Sequence, residues 1–243
     1  MERLLKYLAK QYMRLEMFLR KHMKATLISF AIFFFFCVIG MVTVLSGATA
    51  PSKKIIVAID PGHGGNDPGK VGSLGSLEKD INLSIALKLR DKLMEEGCQV
   101  VITRCEDTNL ATPGAQNKKS SDMSNRVELI NDSGADVLVS IHQNSYSDSN
   151  VKGTQVFYYG GSDESRMLAE KLQKSFIENV DTSNHRKAKE GNDYYILRKT
   201  SCPGVIIECG FLSCPEEESK LMDDWYQNKI VDAIAEVILE MYY

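Results

Sequence analysis

The 243-residue chain is long enough for one α/β domain and an N-terminal leader. Its hydrophobic fraction of 44% and charged fraction of 25% are ordinary for a globular protein. A net charge of −3 gives no basis for a nucleic-acid partner, so that class of function is excluded first.

The first 45 residues have the pattern of a membrane leader. Residues 1–24 are rich in lysine and arginine, whereas residues 25–45 carry no charged side chain. An uncharged helix of this length, at ~1.5 Å per residue, spans ~30 Å, which matches the core of a bilayer. The basic flank belongs on the cytoplasmic side. We therefore predict a cytoplasmic segment at 1–24, a transmembrane anchor at 25–45 and an extracytoplasmic remainder.

The leader has a second interpretation. Ala48-Thr49-Ala50 is a small-residue pattern that a signal peptidase can cut, which would release the protein after Ala50. The apolar core of a secretory signal is usually shorter than residues 25–45, so an uncleaved anchor is favoured. In either case residues 46–53 form a short linker.

Strand and helix patterns alternate through the remaining segment, residues 54–243. In chain order, we predict a strand at 54–60, a helix at 78–96, a strand at 99–104, a helix at 124–133, strands at 136–141 and 153–159, a helix at 163–180, strands at 193–199 and 203–208, and a helix at 224–242. This alternation predicts an α/β fold, with an open, largely parallel or mixed sheet of about six strands and helices on both faces. Strand 153–159 is expected at an edge, and the polar stretch 106–122 is expected to be a loop.

The cysteines do not define a framework. One of the six, Cys37, lies in the predicted anchor, and the other five leave an odd number in the exported part. No Cys-x-x-Cys is present, which argues against a structural zinc knuckle. We expect mostly small buried side chains. A disulfide between Cys202 and Cys214 stays open at this point.

Four ionisable side chains are predicted to meet at one rim of the sheet. His63, His142 and Glu208 each follow an apolar strand, and Glu78 opens the helix after the first strand. In open α/β sheets the ligand site lies outside the carboxyl ends of the strands. Two imidazoles and one carboxylate, with a coordination position left open, form a catalytic zinc site, and a second carboxylate can shuttle protons.

Three of the four groups also have a structural interpretation. His63 could bond a carbonyl group within a tight glycine turn, and His142 could be a satisfied core histidine. Glu78 could be a first-turn carboxylate that the helix dipole favours. Glu208 is the exception, since a lone carboxylate at the end of an apolar strand is costly without a partner or a task.

The sequence around these residues carries a resemblance. The motifs are Asp-Pro-Gly-His-Gly-Gly at 60–65, Glu-Lys-Asp at 78–80, Ser-Ile-His-Gln-Asn at 140–144 and Glu-Cys-Gly-Phe-Leu-Ser at 208–213. Together, over residues 54–240, they resemble the zinc-dependent N-acetylmuramoyl-L-alanine amidases of bacterial cell walls. The anchored single-domain layout, the Arg104-x-x-Asp107-Thr108 stretch and the lack of wall-binding repeats resemble the germination-specific amidases that act on spore cortex. In one respect the chain differs from this pattern: it has Cys214 after Phe-Leu-Ser, where many relatives have asparagine.

The resemblance implies a site and a reaction. His63, Glu78 and His142 would hold one Zn²⁺ per chain, and Glu208 would be the catalytic acid and base. The implied reaction is hydrolysis of the amide between N-acetylmuramic acid and L-alanine in peptidoglycan, during the cortex maturation that germination requires.

Four further residues have two interpretations each. Asn144 either holds a substrate carbonyl or braces its loop. Arg104 and Arg126 either bind peptide-stem carboxylates or form structural ion pairs. Asp60 either orients a ligand histidine or stabilises a turn.

The implied partners are peptidoglycan, the membrane through the leader, and an unidentified activating protein. Two other functions stay open: a zinc peptidase that cuts within the stem peptides, and a wall-binding module without catalysis. A nucleotide-binding role for residues 62–75 is disfavoured, because neither Gly-x-Gly-x-x-Gly nor Gly-Lys-Ser/Thr is present.

Overall fold

The computed structural model describes residues 1–45 and 54–242. The chain divides into two compact units, Met1–Ser52 and Lys53–Tyr243. The predicted linker 46–53 lies outside the described residues.

The first unit is one helix, α1 (Glu2–Leu45). Exposed ion pairs between residues four apart support its amino-terminal half: Lys6 with Glu2, and Arg20 with Glu16. The predicted basic segment and the predicted anchor both fall within this helix. In residues 1–45 and 54–242, no helix combines the length and apolar character needed to cross a bilayer. The anchor therefore stays a prediction.

The second unit alternates strands and helices as the sequence predicts. Its elements are β1 (Ile56–Pro61), α2 (Glu78–Glu95), β2 (Gln99–Ile102), α3 (Lys118–Asp132), β3 (Val137–Asn144), β4 (Gln155–Tyr158), α4 (Asp163–Ser175) with a π-helical extension over Phe176–Val180, β5 (Lys189–Glu190), α5 (Tyr195–Lys199), β6 (Gly204–Phe211), α6 (Pro215–Leu221) and α7 (Asp224–Tyr242).

The six strands form one sheet in the order β2-β1-β3-β6-β4-β5. Strands β2, β1, β3 and β6 are mutually parallel, while β4 runs antiparallel to β6 and parallel to β5. The predicted mixed six-stranded sheet is confirmed. The expected edge position of β4 is wrong, because β5 covers its outer side.

Alternate side chains of the strands serve two separate cores. On β1, Val57 and Ile59 face the core formed with α2, α4 and α7. Ala58, between them, faces the core formed with α3 and α5. Side chains on a strand point alternately to its two faces, so both faces of the sheet are apolar and both are covered by helices, as predicted.

Four elements differ from the sequence-based expectation, and one of them, helix α6, was not predicted at all. In place of the predicted strand 193–199, residues 195–199 form helix α5; Ile196 and Leu197, adjacent in sequence, are both buried in the same core, which a strand of period two does not allow. The fifth strand is instead the exposed pair Lys189–Glu190, which only backbone pairing reveals. Helix α3 begins at Lys118, inside the expected loop, because the Asn117 side chain accepts from Ser120 N and caps it.

An ion pair inside the domain joins α3 to the end of β1. The exposed fractions of Arg126 and Asp60 are 1% and 2%, and Arg126 Nη1 lies 2.7 Å from Asp60 Oδ1. Thr103 and Ser140 also donate to the Asp60 carboxylate, from just beyond β2 and from β3. Burial alone would raise the pKa of Asp60, but Arg126 and these donors lower it.

The substitution Asp60→Asn should destabilise the fold strongly. It would remove the more deeply buried of the two carboxylates that pair with Arg126 and leave only Asp122, and breaking a buried pair from one side costs about 3–5 kcal/mol. The free energy of unfolding should be measured by chemical denaturation followed by circular dichroism.

Asp163→Asn is the matched control, since Asp163 forms an exposed pair with Arg166 and should contribute little. The double variant Asp60→Asn, Arg126→Met should lose less than the sum of its single changes. A loss for Asp60→Asn no larger than that of the control would contradict the interpretation.

Candidate metal centre

A strained turn after β1 positions the first histidine. His63 has φ of 63°, and within the described residues it is the one non-glycine residue with positive φ. Histidine enters this left-handed region more readily than most residues do, but at a cost that its surroundings must offset. Arg126 Nη2 donates to the His63 carbonyl at 2.6 Å, and Gly62 N donates to Ile141 O. The turn is therefore held from α3 and from β3.

Gly62 is required because of a close approach. A β-carbon at this position would collide with the imidazole of His142, which β3 carries. The absence of a side chain at Gly62 lets the His142 ring pack directly against the turn that holds His63. The two rings meet edge to face, with centroids 5.1 Å apart.

Glu78 at the start of α2 lies between the two imidazoles. Its Oε1 atom is 3.2 Å from His63 Nε2 and 3.0 Å from His142 Nδ1. The backbone amides of Lys70 and Gln143 donate to the same carboxylate at 2.8 and 3.1 Å. Although burial opposes ionisation, the two histidines lower the pKa of Glu78 well below its usual range.

These three side chains form a cluster that could hold a metal ion. One ligand atom from each of His63, Glu78 and His142 lies within 4.8 Å of the others. The predicted convergence of the three residues is confirmed. The cluster offers two imidazole nitrogens and one ionised carboxylate oxygen. These are donors that a divalent transition metal prefers.

Asp67 supports this cluster, and the sequence analysis did not identify it. Its Oδ2 atom lies 3.0 Å from His63 Nδ1, and its Oδ1 accepts from Gly69 N. An ionised carboxylate only accepts, so Nδ1 would donate to Asp67 when Nε2 gives its lone pair to a metal ion. Burial would lower the pKa of His63, but Glu78 and Asp67 raise it. The sequence did offer one sign of this contact, since Asp67 lies four residues after His63 in the same glycine-rich turn.

Asp60 does not orient a ligand histidine. Its oxygens bind Arg126, Thr103 and Ser140, below the turn. The first interpretation of this residue is wrong, and the orienting contact belongs to Asp67 instead.

Glu208 lies beside the cluster with one oxygen unused. It pairs in register with His142 across β3 and β6, and its exposed fraction is 8%. Among the described residues, no group bonds its buried Oε2 atom. Burial raises the pKa of Glu208 to about 7, with Glu78 adding to the shift and His142 opposing it. A carboxyl group in this state can accept and return a proton near neutral pH.

The two arginines expected to contact substrate are structural. Arg104 is buried and donates only to backbone carbonyls in its recorded bonds, those of Pro61, Gly62, Lys79 and Glu106. Arg126 is committed to Asp60, Asp122 and the carbonyls of Pro61 and His63. With their donors so engaged inside the domain, neither guanidinium is placed to bind a stem carboxylate, which corrects that interpretation.

Asn144 braces the rim. Its side-chain oxygen accepts from Ser145 N, and its carbonyl accepts from Leu212 N, both at 2.8 Å. The pairing of β3 with β6 is irregular between His142 and Asn144. These contacts support the bracing interpretation, whereas a substrate contact stays a prediction.

The cysteines in the described domain are all free. Cys98, Cys209 and Cys214 are buried, Cys202 is half-buried and Cys105 is exposed. The Cys202–Cys214 disulfide is therefore absent from this structure. The expectation of small buried side chains is confirmed for three of the five.

Comparison with known proteins places this site in a family. The profile of the N-acetylmuramoyl-L-alanine amidase family matches residues 57–240. The germination-specific N-acetylmuramoyl-L-alanine amidase of Bacillus subtilis (strain 168) is 40% identical over 195 residues, which cover 79% of this chain and 81% of the relative.

Solved structures agree with the sequence match. The CwlD amidase of Clostridioides difficile, in complex with the GerS lipoprotein, matches with a TM-score of 0.75 and 38% identity, over 77% of this chain and 98% of that chain. The amidase AmiC2 of Nostoc punctiforme matches with a TM-score of 0.68 and 36% identity, over 78% and 97%. The matched region contains the six strands, except for Ile56 at the start of β1, together with the His63, Glu78 and His142 cluster and Glu208, and the chain belongs to the N-acetylmuramoyl-L-alanine amidase family.

Proposed function

We propose that the chain hydrolyses the amide between N-acetylmuramic acid and L-alanine in peptidoglycan, with one Zn²⁺ held by His63, Glu78 and His142. The observation that carries the mechanism is the buried Glu208 carboxylate, which has an unpartnered oxygen beside the His-Glu-His cluster. A buried polar atom without a partner is costly, so its retention indicates a task.

The donor set supports zinc. Two imidazole nitrogens and one carboxylate oxygen are a known ligand set of catalytic zinc sites, which leave further coordination positions for water and substrate. When bound, the ion would polarise the scissile carbonyl and make water a stronger acid. The protein holds its ligands from behind: Asp67 bonds His63, and the amides of Lys70 and Gln143 bond Glu78.

Glu208 would carry the protons. As a base it would accept a proton from the attacking water, and as an acid it would donate a proton to the departing amide nitrogen. A pKa of about 7 suits both directions near neutral pH.

A zinc peptidase that cuts within the stem would use the same side chains. Family membership favours the amidase reaction over it. A wall-binding module without catalysis would have no use for the unpartnered Glu208, so the complete set of four residues speaks against it.

The biological setting we propose is maturation of the spore cortex. The support is the 40% identity to a germination-specific amidase and the match to the CwlD structure. Because that structure contains a lipoprotein partner, we also propose that an accessory protein binds this chain.

We propose further that residues 25–45 anchor the chain in the membrane, with the catalytic unit outside the cytoplasm. The support is the uncharged run and the basic residues before it. Cleavage after Ala50 is the alternative outcome.

Glu208→Gln should retain zinc and lose nearly all turnover, whereas His63→Ala or His142→Ala should lose both. Glutamine keeps the shape of Glu208 but cannot accept a proton, and a positioned acid or base typically contributes ~10²–10⁴-fold in rate. Zinc content and hydrolysis of a muropeptide should be measured on the same preparations, with products identified by mass spectrometry.

The exposed substitution Glu236→Gln is the control and should change neither quantity. New N-terminal alanine with intact glycan identifies the amidase, whereas new termini within the stem identify a peptidase. A Glu208→Gln protein with normal turnover would assign the base to another group, and one devoid of zinc would make Glu208 a ligand.

Deletion of the gene should leave cortex muramic acid with its stem peptides attached, and the spores should germinate poorly. The proposed hydrolysis is the step that removes the stem peptide from muramic acid, so the peptide should stay attached when the enzyme is missing. Muropeptide analysis of purified spores is the measurement. Normal cortex composition in the mutant would remove the cortex assignment and leave the chemistry intact.

Protease added to intact protoplasts should remove the catalytic unit while residues 1–24 stay protected. Immunoblots with tags at the two termini would follow both parts. Full protection of the catalytic unit would overturn the proposed topology, and its release without protease would show cleavage near Ala50.

A further inference from the structure

Three consecutive glutamates at the start of α6 lie in three different environments. Glu216 is exposed and pairs with Lys220. Glu217 is buried, and Glu218 has no exposed surface at all. Neither buried residue belongs to the metal cluster or to the proton transfer, so each needs its own explanation.

The Glu218 carboxylate is enclosed by the tip of one loop. It accepts four hydrogen bonds: from Ser73 Oγ at 2.7 Å, Leu74 N at 2.6 Å, Ser76 N at 3.0 Å and Ser76 Oγ at 2.6 Å. A β-carbon at Gly72 would collide with this carboxylate, which explains the glycine there. An ionised acceptor with four donors is a strong tether, because charge-assisted bonds are about twice as strong as neutral ones.

The same loop ends at the metal cluster. Residues 70–77 form a small hairpin, with a bridge between Val71 and Leu77 and a bond from Gly72 N to Ser76 O. At its base, Lys70 N donates to Glu78 Oε2 at 2.8 Å, and Glu78 N donates to Lys70 O at 2.9 Å. The tip of the hairpin therefore rests on Glu218, and its base holds the ligand Glu78.

Apolar packing cannot substitute for this tether. The two large apolar side chains at the tip and along the arm, Leu74 and Val71, are 57% and 61% exposed. One backbone bond, from Ser73 N to Leu212 O, also reaches the tip. The Glu218 carboxylate is therefore the main group that holds the 70–77 hairpin in place.

We propose that Glu218 is a positioning residue for the metal site: it fixes the 70–77 hairpin, and the hairpin fixes the Glu78 carboxylate between the two histidines. The proposal rests on the metal centre of the proposed function. It assigns a role to a side chain that touches neither the cluster residues nor the substrate.

Glu217 provides a contrast within the same helix. Its carboxylate accepts from Gly153 N at 2.9 Å and from Phe211 N at 2.8 Å. It joins the end of β6 to the segment before β4, and neither of these bonds goes to the 70–77 hairpin, which meets this region through the bond from Ser73 N to Leu212 O. A change at Glu217 should lower stability without moving Glu78.

The test compares Glu216→Gln, Glu217→Gln and Glu218→Gln in the full chain. Zn²⁺ affinity is measured by competition with a chelator, and Tm is measured on the metal-free protein. Glutamine at 218 would place an amide donor against hydrogen-bond donors, so Zn²⁺ affinity should fall roughly ten-fold, the lower end of what supporting residues contribute. Glu217→Gln should lower Tm and keep the affinity, and Glu216→Gln should change neither.

Ser76→Ala is a milder second variant, in case Glu218→Gln folds poorly. It removes one donor from Glu218, so it should weaken Zn²⁺ binding in the same direction by a smaller factor. Combined with Glu218→Gln it should add little, because both changes release the same hairpin.

Wild-type Zn²⁺ affinity in both Glu218→Gln and Ser76→Ala would overturn the proposal. So would an equal loss of affinity in Glu217→Gln at the same loss of Tm, since the effect would then be general destabilisation. A wild-type protein that takes up no Zn²⁺ would overturn the proposed metal centre itself, and this proposal with it.

Discussion

The buried pair of Arg126 and Asp60 is the contact on which the geometry of the site depends. Through it, α3 is attached to the end of β1, at the point where the chain leaves the sheet and turns into the site. The same guanidinium holds the carbonyl of His63, whose backbone is in the left-handed region. A strained turn persists only where its surroundings determine it fully. Here the turn is fixed by the Arg126 guanidinium and its hydrogen bonds. Hydrogen bonds are directional, whereas apolar contacts are not.

From that turn outward, neighbouring groups hold the side chains of the His-Glu-His cluster in place. Glu78 receives amide donors from the 70–77 hairpin and from β3, and His63 receives the carboxylate of Asp67. The three side chains lie close together because the imidazoles attract the ionised Glu78 carboxylate and because these outer bonds fix their positions. The sheet places the backbones, since parallel strands bring their carboxyl ends to one rim. The hydrogen bonds behind the ligands place the side chains.

Much of this could be predicted from the sequence, and the reasons differ between elements. Strands β1, β3 and β6 are continuous apolar runs because both their faces are buried, and such runs are visible in a sequence. The site residues followed from their places at the ends of those runs.

The errors have an equally physical origin. Strand β5 is two exposed polar residues held by backbone pairing alone, and α5 is a single turn whose short apolar run resembles a strand in the sequence. For Arg104 and Arg126 the choice between a substrate contact and a structural ion pair stayed open, because a sequence does not show the carbonyls and carboxylates that surround them. Asp67 was missed for the same reason: its partner is fixed by a turn whose path depends on three consecutive positive-φ positions, His63, Gly64 and Gly65.

The buried carboxylates of the domain show why one of them is different. Asp60 is neutralised by an arginine, Glu78 by two histidines, and Glu218 by four donors, and the pKa of each is lowered. Glu217 has an amide donor on each oxygen, although burial still raises its pKa. Glu208 alone keeps a buried oxygen for which the described residues supply no bond. Folding would gain by satisfying that atom, as it does in the other four cases. Its unsatisfied state supports the proposed role of Glu208, in which the missing partner would be a proton that arrives from water and leaves with the product.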